Sequence, residues 1–142
     1  MQMSKTGAGD GAKTNQEKIA ELHALRQALF GPLPLQGSAF SQWAEFDEDL
    51  AIKVSEFFVG GLYQRTVLTQ RERELCAIAA LTAIRAEHEL KAHVKAALNV
   101  GATPQEVGEV IFQMITYAGM PAFVEGLKAA RDVLVERGDW KR

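Results

Sequence analysis

The chain has 142 residues, 47% of them hydrophobic and 24% charged, which suits one domain with a core of its own. A formal charge of −2 and the lack of a basic stripe interleaved with aromatics exclude an electrostatic nucleic-acid binder. Strictly apolar runs are short, which predicts that no segment spans a bilayer, and a single cysteine rules out an intrachain disulfide.

Residues 1–15, MQMSKTGAGDGAKTN, lack the apolar stretch of a secretory signal and read as a disordered tail. The domain is then expected over 16–142, and the missing signal with the lone cysteine predicts a reducing cytoplasm. Ile19, Leu22, Leu25, Ala28 and Leu29 recur at helical spacing and predict a helix over Gln16–Phe30. The Pro/Gly break GPLPLQGS at 31–38 stops it. Phe46, Leu50, Val54, Phe57 and Phe58 form the stripe of a second helix, for which Gly60-Gly61 supplies a C-cap and turn. Thr69 with Glu72 fits a capping box, and the apolar run behind it predicts a helix to about Ile84. Another runs from about Glu87 to Val100 and stops at Gly101. Thr103-Pro104-Gln105-Glu106 combines an N-cap, a first-turn proline and a capping acid. It launches a helix halted by Gly119 and Pro121, and Phe123, Leu127, Ala130, Val133 and Leu134 mark the last one, to about Glu136. No window alternates with period two, so the chain reads as all-α, with about six helices.

The chemistry-bearing residues gather in RERELCAIAALTAIRAEHELKAH, residues 71–93. Leu75, Ile78, Leu81 and Thr82 share one helix face, and Glu74 falls inside that arc. A carboxylate on a packing face loses hydration and becomes a candidate for proton work. The plainer alternative is that Glu74 favours the helix dipole or pairs with Arg71, Arg73 or Arg85. On the next helix His93 sits at the edge of the Leu90, Val94, Ala97, Leu98 face, one turn after Glu89. His88 points the other way, and His23 has no obvious partner. Cys76 lies opposite Glu74 and reads as a buried, inert thiol. H-E-x-x-H, a Cys/His cluster and a Gly-rich phosphate loop are all missing, so neither a metal nor another cofactor is expected.

From Leu68 to Leu134 the chain resembles the carboxymuconolactone decarboxylase family of the AhpD-like superfamily, with a looser match back through FDEDLAIKVSEFFVGGLYQR. The resemblance is carried by R-E-L at Arg73–Leu75, by ELKAHVKAALNVGATPQEV at 89–107, and by YAGMPA at 117–122. RQALFG at 26–31 also stands where full-length decarboxylases carry it. It implies an all-helical fold and a ring-like homo-oligomer, a hexamer or trimer.

Two chemistries occur in the family. AhpD-type reductases use a C-x-x-C pair with a glutamate and histidine relay. Here those cysteine positions correspond to Ala86 and Glu89, the relay glutamate to Glu74 and the relay histidines to His88 and His93. Both thiols are missing, which removes dithiol–disulfide exchange. The other branch is similar to the cofactor-free lactone decarboxylases of aromatic-acid breakdown, which take a small anionic substrate. On that template His93 is the general acid/base, Glu74 or Glu89 orients it, and Arg65 or Arg73 receives a carboxylate. Tyr117 is a candidate to line the pocket, although YAGMPA also reads as a plain helix corner. Tyr63 stands where the decarboxylases usually carry tryptophan, and no proline follows Arg65. Those departures bear on the substrate. A non-catalytic oligomer that binds a small ligand is the rival reading.

Overall fold

A computed structural model of the chain describes residues 12–32 and 38–140. Residues 1–11 of the tail expected over 1–15, and most of the Pro/Gly break, 33–37, lie outside the described residues. The helices are α1 Asn15–Phe30, α2 Ala39–Phe46, α3 Glu48–Ser55, α4 Gln70–Ala83, α5 Glu87–Asn99 and α6 Pro104–Arg137. A π-helical turn, Glu56–Gly61, and a 3-10 turn, Leu62–Gln64, follow α3. No strand occurs among the described residues, and the fold is all-helical.

Thr14, Thr69 and Thr103 start helices in the same way. Each side chain accepts the backbone N–H of the glutamate three residues on, and that glutamate's carboxylate accepts the threonine's own N–H. The boxes at Thr69 and Thr103 are the predicted ones. The box at Thr14 falls inside the stretch read as tail and starts α1 at Asn15.

The second predicted helix divides. Asp47 leaves helical geometry (φ −161°, ψ 106°), ends α2 and caps α3 by accepting from Leu50 N–H. Gly60-Gly61 is not a stop, because the chain passes through both residues without a left-handed turn and continues to Gln64. The last two predicted helices are the two arms of α6, and the expected break between them falls at Gly119, which takes non-helical φ 81° and ψ 173°. A Cβ at Gly119 would meet nothing closer than Pro121 Cδ at 3.8 Å, so the dihedral, rather than close approach, requires glycine there. Close approach falls to Gly126, where a Cβ would lie 2.8 Å from Thr82 Cγ2 and 3.0 Å from Ile111 Cγ2.

Taken whole, α6 has the length and apolar composition of a membrane span, with a mean hydropathy of 1.3 over one window, but the non-helical break at Gly119 falls within it. Its glycines, threonine and tyrosine break the apolar runs without adding charge. One side of α6 packs on α4 and α5, while Phe112, Met120 and Val124 remain exposed on the other.

The main core lies between α4, α5 and α6, around Ile78, Leu90, Val94, Val107, Ile111 and Val133. Each large side chain buried there contributes about 1.5–3 kcal/mol. Leu22, Ile52 and Val59 centre a second cluster under α1 and α3. Phe30, Tyr63 and Ala96 join the two halves.

Candidate active site

Glu74 lies early in α4, on the side that carries Ile78 and Thr82, and is 0% exposed. None of the three nearby arginines takes its carboxylate. Arg71 pairs with Glu106 at the start of α6, Arg85 with Glu125, and Arg73 donates to the Arg65 carbonyl at 2.9 Å. Glu74 Oε2 instead lies 2.7 Å from His93 Nδ1 on α5. The imidazole is 27% exposed and bridges the buried carboxylate to the surface. An ionised Glu74 accepts the Nδ1 proton, which fixes ring and tautomer and leaves Nε2 for chemistry. Glu74 Oε1 has no partner at regular hydrogen-bond geometry. A carboxylate so thinly answered in a dry interior is costly, which favours a functional over a structural reading of it.

The 3-10 turn sets Tyr63 beside this pair. The Tyr63 carbonyl accepts from Gln70 Nε2 at 2.5 Å. Its ring meets Phe30 and Phe58 edge-on, with centroids 5.1 and 4.5 Å away, and the Arg73 guanidinium carbon lies 5.8 Å from its centre. Burial first, then the nearby charge of Glu74, push the Tyr63 phenol far above the ordinary tyrosine range. Arg73 opposes that shift weakly.

The structure thus brings His93 and Glu74 together and adds Arg73 through the Tyr63 ring. Arg65 stands at the rim, its backbone tied to Arg73 and its side chain exposed. Glu89 does not hydrogen-bond His93, which corrects the pairing read from their spacing. It is exposed in the first turn of α5, where it favours the helix dipole, while the inward nitrogen of His93 is already held by Glu74. Tyr117 is 72% exposed and hydrogen-bonds none of these residues. His88 is exposed. Cys76 is exposed rather than buried, because the side of α4 opposite Glu74 faces solvent in the single chain. His23 and Arg26 line a separate recess of about 20 Å³ with Phe40 and Ser55, and His23 Nδ1 is buried there without a partner. Among the described residues no three His, Cys, Asp or Glu side chains converge to hold a metal. Sequence reasoning missed Tyr63 and Gln70 as parts of the site. Their contact crosses a turn, where helical periodicity carries no signal, and only the tyrosine standing at a usual tryptophan position marked the place.

Fold and site together define an all-helical protein with a buried carboxylate–imidazole pair held between two helices of its core. A profile of the carboxymuconolactone decarboxylase family matches residues 49–132, from α3 into the second arm of α6, and the chain belongs to that family. It is 34% identical over 94 residues to the 4-carboxymuconolactone decarboxylase of Acinetobacter baylyi, covering 66% of this chain and 70% of the relative. An uncharacterized 15.0 kDa protein from the nqo9-nqo10 intergenic region of Paracoccus denitrificans is 36% identical over 86 residues, 59% of this chain and 64% of its own length. The nitrosuccinic acid decarboxylase npaB of Metarhizium robertsii is 27% identical over 92 residues, 63% of this chain and 64% of its own.

Proposed function

We propose that this protein is a cofactor-free decarboxylase of a small carboxylated lactone of the 4-carboxymuconolactone type, acting in the cytoplasm in the breakdown of aromatic compounds. The observation that carries the reading is the 2.7 Å bond between His93 Nδ1 and the fully buried Glu74, which presents Nε2 toward the open side. The relatives named as decarboxylases support the reaction class.

In the reaction the bond between the ring carbon and the carboxylate carbon breaks, and carbon dioxide leaves. The electron pair moves into the unsaturated system as a dienolate. His93 as imidazolium donates its Nε2 proton to carbon, and solvent supplies a new proton to the ring afterwards. Glu74 keeps the ring oriented and stabilises the imidazolium, while the positioned acid itself, His93, contributes about 10²–10⁴-fold. Arg73, with one buried nitrogen, Nε, unpartnered, and Arg65 at the rim supply positive charge for the substrate carboxylate and the enolate oxygen.

The same reading includes association of identical copies. Leu50 and Val54 lie one turn apart on α3, Phe46 and Phe57 flank it, and all four are exposed in the single chain, Phe46 at 93%. Monomers seldom leave so continuous an apolar stripe in water. A second copy is the occupant that the proposed oligomer supplies.

The deciding assay follows carbon dioxide release from 4-carboxymuconolactone. Turnover that disappears in His93→Ala while the oligomer persists supports the enzyme. Ligand binding without turnover, unchanged in that variant, would instead make the protein a binding oligomer.

A further inference from the structure

The recess under α1 lies outside the carboxylate–imidazole site and gathers two donors that the protein leaves unanswered. His23 and Arg26 stand three residues apart on one face of α1, and both line it. His23 Nδ1 and Arg26 Nη1 are buried, and neither has a hydrogen-bond partner. Ser55 of α3, itself buried, adds a hydroxyl, while Leu22, Phe40 and Val59 supply apolar walls.

A guanidinium keeps its charge at any ordinary pH, so burying one of its arms without an acceptor is costly. No carboxylate of α1, α2 or α3 provides that acceptor. Glu17 accepts from Thr14 and Glu21 pairs with Lys13. Glu48 and Asp49 both accept from Asn15, Asp47 caps α3, and Glu56 pairs with Lys18. Glu45 is exposed and bonded to neither donor. Burial accordingly pulls the Arg26 guanidinium below the ordinary arginine range, with no acid acting in the opposite sense.

We propose that this recess is a halide site, in which Arg26 Nη1, His23 Nδ1 and the Ser55 hydroxyl hold a single chloride ion and so fasten α1 to α3. Size selects the ligand. A volume of about 20 Å³ admits one particle close to water in size. Chloride and bromide approach that size, whereas phosphate, sulfate and organic carboxylates carry too many heavy atoms. Charge then separates halide from water. Water can accept from the same donors, but it leaves the guanidinium uncompensated in a low-dielectric wall, where an opposite charge is most effective. In this arrangement the His23 proton sits on Nδ1, the tautomer that donates inward. The site is independent of the chemistry at His93 and acts on how firmly the first half of the chain holds together.

The test melts the full chain by circular dichroism at constant ionic strength, with sodium chloride or bromide replacing sodium gluconate, whose anion is too large for the recess. The melting temperature should climb with halide and gain roughly 5 °C at about ten times the dissociation constant. Arg26→Met keeps the alkyl stem and removes the donors, so it should melt at one temperature in all three salts. A native chain indifferent to the salt, or a halide gain that Arg26→Met retains, overturns the proposal. Should Arg26→Met not fold, crystals of the unmodified chain grown in bromide decide. Anomalous density within hydrogen-bond reach of Arg26 Nη1 and His23 Nδ1 sustains the site, and bromide found only beside exposed lysines refutes it.

Discussion

Replacing Glu74 by glutamine alters the charge of the site and almost nothing of its volume. The native carboxylate is fully buried and holds His93 Nδ1 at 2.7 Å. Hydrogen bonds to charged groups contribute about 1.5–3 kcal/mol, and if that difference is realised in the transition state, where the imidazole is charged, kcat falls about 10- to 150-fold. KM should barely move, since a side chain without exposed surface cannot touch the substrate. Stability should hold or rise, because a desolvated charge is removed and a polar group of equal shape remains. The assay pairs initial rates of 4-carboxymuconolactone loss with a melting curve on the same sample. Unchanged kcat in a folded Glu74→Gln variant would make the pair a structural tie and refute the reasoning. A melting point that collapses together with kcat would show that the variant reports on the fold rather than the chemistry.

Gly126→Ala should cost about 1–3 kcal/mol in thermal or denaturant unfolding, because the added Cβ meets the stiff, buried Thr82 and Ile111 at 2.8 and 3.0 Å. Gly119→Ala should cost about 1–2 kcal/mol by the same measurement, for its left-handed dihedral and not for space. Leu50→Glu with Val54→Glu places charge in the exposed stripe, and light scattering should then show smaller particles with helical circular dichroism retained. The Tyr63 phenol is raised by folding, so its contribution to stability is complete below the unfolded value of 10.0 and is lost as pH climbs beyond it. Alkaline unfolding should therefore steepen above that pH in the native chain and less in Tyr63→Phe.

Helix starts were the most legible part of the fold. Thr69 and Thr103 announce themselves through a hydroxyl and a carboxylate three residues apart, a purely local code, and both boxes form. The inward placement of Glu74 was legible too, since it follows from helix geometry alone. Its choice of partner was not. Arg71 and Arg73 are nearer in sequence than His93, and only the packing of α5 on α4 decides among them. Glu89 shows the converse, where a favourable spacing on one helix yields no bond because the buried acid on the neighbouring helix engages the ring first. Gly60-Gly61 misled because a doublet of glycines permits a stop without enforcing one, and the π-helical turn carries the chain through. Cys76 was misjudged because the lone thiol was read as core material by its type, while its side of α4 packs on nothing in the single chain.

The bridge formed by Phe30, Tyr63 and Ala96 places the reactive pair on a seam. Glu74 and His93 belong to the large core of α4, α5 and α6, but the aromatic wall beside them is delivered by the chain's first half, which has a smaller core of its own. If that first half swings off without the rest unravelling, water reaches the carboxylate while the three long helices stay paired. Amide deuteration would then run ahead in α1 and α3, and the lifetime of a dry catalytic centre would be set by how tightly one sub-assembly docks on the other, well before global melting.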